Sequence, residues 1–162
     1  MSDWDVLIRL VVASALGAVV GIERELRDQP AGFRTHMLVA LGACLFTLVG
    51  AFGFQDLTGG QPVAAVNADV TRVASQIVVG IGFLGGGTIL RHGATVRGLT
   101  TAASLWVTAA VGLAVGMGFY LGATATALLA VIALAVLKPV GKRFARGTHQ
   151  EDEDGPPEMP PD

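Results

Sequence analysis

TTAASLWVTAAVGLAVGMGFYLGATATALLAVIALAVL, residues 100–137, contains no Asp, Glu, Lys or Arg. One α-helix of this sequence would be about 57 Å long, nearly twice the roughly 30 Å hydrocarbon core of a bilayer. The stretch therefore predicts two membrane-spanning helices. Gly116-Met117-Gly118 lies at its midpoint and predicts the turn between them. The two predicted spans are Thr100–Gly116 and Phe119–Leu137.

Three further apolar segments of similar length precede this stretch, and polar or charged segments separate them. A bilayer-spanning helix needs about 20 apolar residues, and each segment is close to that length. The sequence therefore predicts an all-α fold, a polytopic membrane helix bundle with five transmembrane helices. The first three predicted spans are Trp4–Ile22, Met37–Phe54 and Val73–Leu90, and the segments between the first four spans are Glu23–His36, Gln55–Asp69 and Arg91–Gly98.

The composition supports this fold class. Hydrophobic residues make up 52% of the chain and charged residues only 15%, where about 25% is usual for soluble domains. With a formal charge of −2 and a single cysteine, Cys44, the chain is unlike a soluble enzyme, a nucleic-acid binder or a disulfide scaffold. No nucleic-acid partner is expected.

The C-terminal segment differs in composition from the rest. Residues 147–162 contain Asp and Glu but no Lys or Arg. They also contain four prolines and almost no apolar side chains. Such a segment cannot bury enough surface to fold. We therefore expect a transmembrane domain over residues 1–146 and a disordered, acidic, proline-rich tail over 147–162.

The basic residues predict the orientation of the bundle. Nine of the eleven Lys and Arg residues fall after spans one, three and five, so those three segments share one side of the membrane. Short loops rich in Lys and Arg face the cytoplasm. The N-terminus is therefore expected outside and the C-terminus in the cytoplasm.

Arginines and acids on the predicted inner side form a candidate polar layer. The second inner loop contains two arginines and no acid. One interpretation is that its arginines contact anionic lipid headgroups. The other is that they dock onto acids of the first inner loop and join the two helix pairs. The candidate residues are Glu23, Arg24, Glu25, Arg34, Arg91 and Arg97.

Polar residues inside the predicted spans are a second candidate set, because such residues in a membrane are functional candidates by default. Thr101 and Ser104 continue to Thr108 at helical spacing and form a polar stripe. Such a stripe either packs helices through hydrogen bonds, the favoured interpretation, or lines a water-filled path. Arg72 and Gln76 are the candidates in span three. Arg9 has an ordinary explanation, an ion pair with Asp5 or a side chain that reaches the interface.

Glycines repeat at small-xxx-small spacing in three of the five spans. This spacing lets two membrane helices approach closely. The pairs predict helix-packing faces and make a homo-oligomer, or a complex with another membrane protein, plausible. They are Gly17 with Gly21, Gly82 with Gly86, and Gly112 with Gly116.

Motifs for catalysis and for cofactors are absent from the sequence. It contains no phosphate loop, no paired histidines at metal spacing and no nucleophile elbow, and His36, His92 and His149 are all predicted in loops or the tail. No Asp or Glu lies inside a predicted span, although Mg²⁺ prefers oxygen ligands that include carboxylates. We therefore expect no enzyme, no cofactor and no resident metal.

Four ordered motifs resemble the MgtC/SapB family of membrane proteins. They are Gly21-Ile22-Glu23-Arg24, Ala31-Gly32-Phe33-Arg34-Thr35, Ala74-Ser75-Gln76-Ile77-Val78-Val79-Gly80-Ile81-Gly82-Phe83-Leu84-Gly85-Gly86-Gly87 and Val96-Arg97-Gly98-Leu99-Thr100-Thr101-Ala102-Ala103-Ser104-Leu105-Trp106. The resemblance covers about residues 5–140. Two features depart from the family pattern: Gly86 stands where alanine is common, and the sequence looks like a short form that lacks the soluble C-terminal domain of many members.

The resemblance implies a multi-pass protein of the bacterial inner membrane that is linked to growth in low magnesium and, in pathogens, to survival in the host. Together with the residues, it favours a protein of magnesium homeostasis or stress adaptation that acts by binding other membrane components. The alternative is a subunit of a magnesium or other ion transporter or channel, with the polar residues of spans three and four along its path.

Overall fold

A computed structural model of the chain describes residues 1–53, 70–93 and 95–148. These residues form five α-helices and one two-stranded antiparallel hairpin. The predicted loop Gln55–Asp69 and the predicted tail from residue 149 onward lie outside the described residues. The elements are α1 (Asp3–Glu25), α2 (Phe33–Leu48), α3 (Val70–Gly87), β1 (Leu90–His92), β2 (Thr95–Arg97), α4 (Leu99–Gly116) and α5 (Tyr120–Thr148).

Helix α1 begins with a capping box. The Ser2 hydroxyl accepts a hydrogen bond from the Asp5 backbone N–H, and the Asp5 carboxylate accepts one from the Ser2 N–H. This exchange satisfies backbone groups that have no partner within the helix. Asp3 and Asp5 also place negative charge at the positive end of the helix dipole.

The turn between α1 and α2 is fixed by a side chain of α1. Glu25 Oε2 accepts a hydrogen bond from the Phe33 N–H at 3.1 Å, so an acid from one helix caps the start of the next. Helix α2 therefore begins four residues before the predicted span Met37–Phe54. The helix continues into a π-helical turn, Val49–Gly53.

Helix α4 ends at Gly116, where the sequence predicts a break. Gly118 has a φ of +81°, and the N–H groups of Gly118 and Phe119 donate to the carbonyls of Val115 and Ala114. This pattern is a Schellman motif, which needs a residue in the left-handed region. Helix α5 follows at once, so the uncharged stretch forms two helices.

Helices α1, α2 and α4 pack against one another and form the core, and α3 packs mainly on α4. Small apolar residues dominate the core, among them Ala13, Ala40, Ala43 and Ala109. Small side chains allow the helix axes to approach closely. A three-helix core of this kind positions the polar residues described below.

The segment predicted as the basic loop Arg91–Gly98 is a β-hairpin instead. Its strands pair with Leu90 opposite Arg97 and Arg91 opposite Val96. Gly98 has a φ of +89°, and a Cβ there would collide with the Thr88 carbonyl oxygen. Each strand has only three residues, too few for a sequence pattern to reveal.

Three helices are long and apolar enough to cross a membrane by length and composition: Asp3–Glu25, Phe33–Phe52 and Leu99–Gly116. The apolar parts of α3 and α5, Arg72–Gly87 and Tyr120–Val136, are shorter. The chain divides into two compact units, Met1–Val131 and Ile132–Asp162. The described part of the second unit is the C-terminal part of α5.

Candidate functional site

A buried polar cluster joins α1, α2 and α4 near the C-terminal end of α1. Its central residue is Arg24, which is only 3% exposed. Arg24 Nη2 donates to Gln29 Oε1 at 2.9 Å and to Thr101 Oγ1 at 3.2 Å. A single guanidinium therefore connects α1, the following turn and the first turn of α4. Arg24, predicted in a cytoplasmic polar layer, lies inside the helix contacts.

His36 is the second member of the buried cluster and is 0% exposed. Its Nδ1 lies 2.9 Å from the Gly32 carbonyl oxygen, and its Nε2 lies 3.0 Å from Ser104 Oγ. A carbonyl oxygen can only accept, so Nδ1 is the donor in the first hydrogen bond. The Ser104 hydroxyl also lies within hydrogen-bond distance of the Thr101 carbonyl oxygen, at 2.8 Å.

The prediction that His36 lies in a loop is wrong. Helix α2 begins at Phe33, because Glu25 caps it, and His36 therefore occupies the first turn and faces α4. The signal in the sequence was indirect. A polar stripe at 101, 104 and 108 on an otherwise apolar helix needs hydrogen-bond partners, and His36 is one of them.

Glu23 lies beside Arg24 and is the acid of the cluster. Its Oε1 lies 2.5 Å from Arg27 Nε, and its Oε2 lies 4.0 Å from Arg24 Nη1. The Glu23 side chain is 10% exposed. Glu23 Oε2 and Arg24 Nε are buried and make no hydrogen bond with any residue that the structure describes. The cluster is therefore a mixed ionic and hydrogen-bonded layer whose net charge is small.

The polar stripe of α4 is satisfied within the protein. Thr101 accepts from Arg24, Ser104 contacts His36, and the Thr108 hydroxyl donates to the Ser104 carbonyl at 2.8 Å. All three residues of the stripe are buried. The stripe therefore packs against α1 and α2.

Four of the six predicted packing glycines lie in tight contacts between helices. A Cβ on Gly17 would lie 2.7 Å from the His36 carbonyl oxygen, and one on Gly116 would lie 2.7 Å from Thr47 Cβ. A Cβ on Gly21 would collide with Phe33, and one on Gly112 would collide with the Ala40 carbonyl oxygen. The contacting atoms belong mainly to the α2 backbone, which cannot move aside cheaply.

Gly82 and Gly86 of α3 differ from the other four. A Cβ at either position would meet no atom of another described element within 4 Å. Phe83 between them is 89% exposed. None of the residues that the structure describes therefore covers this face of α3.

One of the two remaining predicted residues of α3 lines a groove. Arg72 and Gln76 are exposed, and Gln76 contributes to a groove of about 400 Å³ between α2 and α3. Its walls are otherwise apolar and include Gly42, Gly80 and Phe46. The structure thus places Gln76 in an open groove and Ser104 inside the core.

The inner-loop arginines Arg34, Arg91 and Arg97 are all exposed. Among the residues that the structure describes, the two ion pairs both involve Glu23, with Arg24 and with Arg27. The Glu25 carboxylate accepts a hydrogen bond from the Phe33 N–H. The structure therefore does not bring Arg91 or Arg97 onto either acid, and their contact with anionic lipid headgroups stays a prediction.

Arg9 caps helix α4 at the opposite end of the bundle. Its Nη1 donates to the Gly116 carbonyl oxygen at 2.5 Å, and its guanidinium carbon lies 5.8 Å from the centroid of the Phe52 ring. A cation is favourable at a helix C-terminus, where carbonyl groups lack partners. The Asp5 carboxylate instead accepts hydrogen bonds from Ser2. The long-range contact between Arg9 and Gly116 has no signal in the local sequence.

Within the described ranges, no group of three or more His, Cys, Asp and Glu side chains could hold a metal ion. Cys44 is buried and unpaired. The geometry thus defines a helical membrane protein with a glycine-packed three-helix core, a buried arginine–histidine cluster and an open third helix.

The chain belongs to the MgtC family, whose model matches residues 10–143. It is 43% identical over 114 residues to YhiD of Escherichia coli strain K12, which is described as a candidate magnesium transporter, covering 70% of this chain and 52% of that protein. It is 40% identical over 138 residues to MgtC of Salmonella typhimurium strain LT2, covering 85% of this chain and 54% of that protein.

An uncharacterised protein of Synechocystis, slr0014, is 43% identical over 139 residues, covering 85% of this chain and 55% of that protein. The chain thus spans about half the length of the curated relatives it matches. No solved structure matches this fold.

Proposed function

We propose that this chain is a multi-pass protein of the bacterial inner membrane that serves magnesium homeostasis or stress adaptation by binding other membrane components. Membership of the MgtC family and the description of YhiD support the link to magnesium. All five helices would cross the membrane, with the N-terminus outside and the C-terminus in the cytoplasm. The arginines near the Arg24 end of the bundle support this orientation.

The binding role rests on one observation: the polar stripe of α4 is buried within the protein. A transport path needs polar groups that face water or the transported ion. Thr101, Ser104 and Thr108 instead bond to neighbours in α1, α2 and α4 and are buried. The glycine contacts bring α2 close to α1 and α4 along this stripe. The core therefore has the features of a scaffold, and its partners would bind at the surfaces around it.

The free surface of α3 is the second support. Helix α3 carries open glycines and exposed Arg72 and Gln76, so it can receive another membrane helix or a second copy of the chain. Small residues and single polar groups are the features through which membrane helices associate. A homo-oligomer or a complex with another membrane protein would use this side.

Transport is the second candidate function, because one observation favours it. Gln76 lies in the open groove between α2 and α3, and a partner that closed this groove would convert it into a path with a polar group. The name of YhiD points in the same direction. The two functions differ in whether the reconstituted protein alone moves magnesium.

The test is reconstitution of the full chain in liposomes that contain a Mg²⁺-sensitive dye, beside affinity purification of the tagged protein from membranes in mild detergent. We expect no flux above protein-free liposomes and a specific co-purifying membrane protein. Flux that is lost in Gln76→Ala but kept in Ser75→Ala would overturn the proposal. Ser75 is a matched control, because it is exposed one residue away and its hydroxyl donates to the Arg72 carbonyl oxygen of its own helix.

A further inference from the structure

The hairpin that joins α3 to α4 exposes apolar side chains. Leu90 is 57% exposed, Val96 45%, and Leu99, which follows the hairpin, 58%. A two-stranded ribbon is marginally stable by itself in water. Exposed apolar groups add to the cost of leaving it there. The hairpin therefore has the features of a segment that rests on a surface.

The register shows what kind of surface this is. Leu90 pairs with Arg97, and Arg91 pairs with Val96. Paired residues lie on the same face of a ribbon and successive residues alternate between faces. Each face of this hairpin therefore carries one apolar side chain and one arginine. At the membrane interface, the apolar group can enter the hydrocarbon while the guanidinium extends to the headgroups.

The guanidinium groups of Arg91 and Arg97 have hydrogen-bond donors available for a ligand. Arg91 Nε donates to the Gly93 carbonyl oxygen at 2.9 Å, and its two terminal nitrogens bond to no residue in the described ranges. The Arg97 side chain makes no hydrogen bond or ion pair within the part of the chain that the structure describes. The hairpin segment itself has no acid. Its charge is therefore complementary to an anion, and a guanidinium matches phosphate geometry.

The position of the hairpin agrees with this partner. It leads through Gly98 into Leu99, and Thr101 two residues later bonds to Arg24. It thus lies at the end of the bundle that carries the arginine-rich segments. Anionic lipids of the cytoplasmic leaflet attract such segments.

We propose that the hairpin Leu90–Arg97 is an anionic phospholipid-binding surface. Leu90 and Val96 insert among the acyl chains, and Arg91 and Arg97 each bind the phosphate of a separate headgroup, because they lie on opposite faces of the ribbon. The inference rests on the proposed membrane insertion and orientation, and it names one class of partner.

The test is native mass spectrometry of the full chain in detergent, titrated with phosphatidylglycerol or with phosphatidylcholine. The wild-type protein should prefer phosphatidylglycerol. Arg91→Gln and Arg97→Gln should each lower this preference about fivefold, and the double variant about 25-fold, because each surface arginine contributes about that much and the two sites are separate. Arg72→Gln, an exposed arginine at the other end of α3, should keep the preference.

Several outcomes would overturn the inference: equal binding of the two lipids by the wild type, an unchanged preference in the double variant, or an equal loss in Arg72→Gln. Loss of the preference on adding inorganic phosphate alone would show a free-anion site and also overturn it. Thermal unfolding of each variant in the same detergent checks that the fold is intact. These outcomes do not depend on magnesium flux or on a protein partner, so the proposed function can fail separately.

Discussion

The α1–α2–α4 core and the α3 side of the molecule use the same residue types in opposite ways. In the core, a Cβ at Gly21 or Gly112 would collide with neighbouring backbone, whereas one at Gly82 or Gly86 would meet no other element of the described ranges within 4 Å. Arg24 in the core is buried, and Arg72 and Arg97 on the α3 side are exposed. Residue type alone therefore does not assign a role: glycine and arginine hold the core together on one side, whereas on the α3 side they are exposed.

The largest expected effect comes from removing the guanidinium of the core. Arg24→Met should lower the free energy of unfolding by about 3 kcal/mol, since hydrogen bonds from a charged donor are lost and Gln29 and Thr101 are left without it. Chemical denaturation in detergent micelles would measure the change.

Arg34→Met is the matched control for that variant. Arg34 lies at the same end of the bundle and is exposed, so its replacement should change the free energy of unfolding by less than about 0.5 kcal/mol. Equal effects of the two substitutions would show that the buried cluster does not stabilise the fold.

A glycine pair compares the two regions directly. Gly112→Ala should destabilise the protein by about 2 kcal/mol, because the new methyl group would meet the backbone of α2 at Ala40. Gly82→Ala should be neutral or stabilising by up to about 1 kcal/mol, since alanine is the better helix former and the site is open. Thermal unfolding in one detergent would compare them, and a destabilised Gly82→Ala would contradict an open α3 face.

The hydrogen bond between α2 and α4 should give a smaller, coupled effect. His36→Phe and Ser104→Ala each remove one partner of the 3.0 Å contact. A double-mutant cycle should show a coupling energy of about 1 kcal/mol, because contacting residues are not independent. Additive changes in the free energy of unfolding would show that the contact contributes nothing.

The sequence predicts most of the fold because hydropathy and charge govern it. The uncharged stretch 100–137 with its central glycines predicted the break after Gly116, and the structure ends α4 there. It could not predict where α2 begins, since the cap on Phe33 comes from Glu25, eight residues earlier and on another helix. The wrong prediction that His36 lies in a loop follows from this contact, which the local sequence does not reveal.

The candidate site was harder to predict because spacing does not reveal the neighbour. The glycine pairs of α1, α3 and α4 look alike in the sequence, and only the packing distinguishes the two closed pairs from the open one. In the same way, Arg24 and Arg34 are both basic residues of one loop region. Arg24 lies on the face of α1 that contacts Thr101, whereas Arg34 lies in α2 and is exposed.

The smallest expected effect concerns the cap at the opposite end of the core. Arg9→Gln removes the charge beside the Gly116 carbonyl, so it should cost about 0.3–1 kcal/mol of stability, the range for a cation at a helix C-terminus. Arg9→Lys should recover part of this, since it restores the charge without the planar fork. The loss should shrink in high salt, because the site is only half-buried and its charge is partly screened. Thermal unfolding of the three proteins at low and high salt would measure this, and a salt-independent loss would show that Arg9 stabilises α4 by packing on Phe52 and not by its charge.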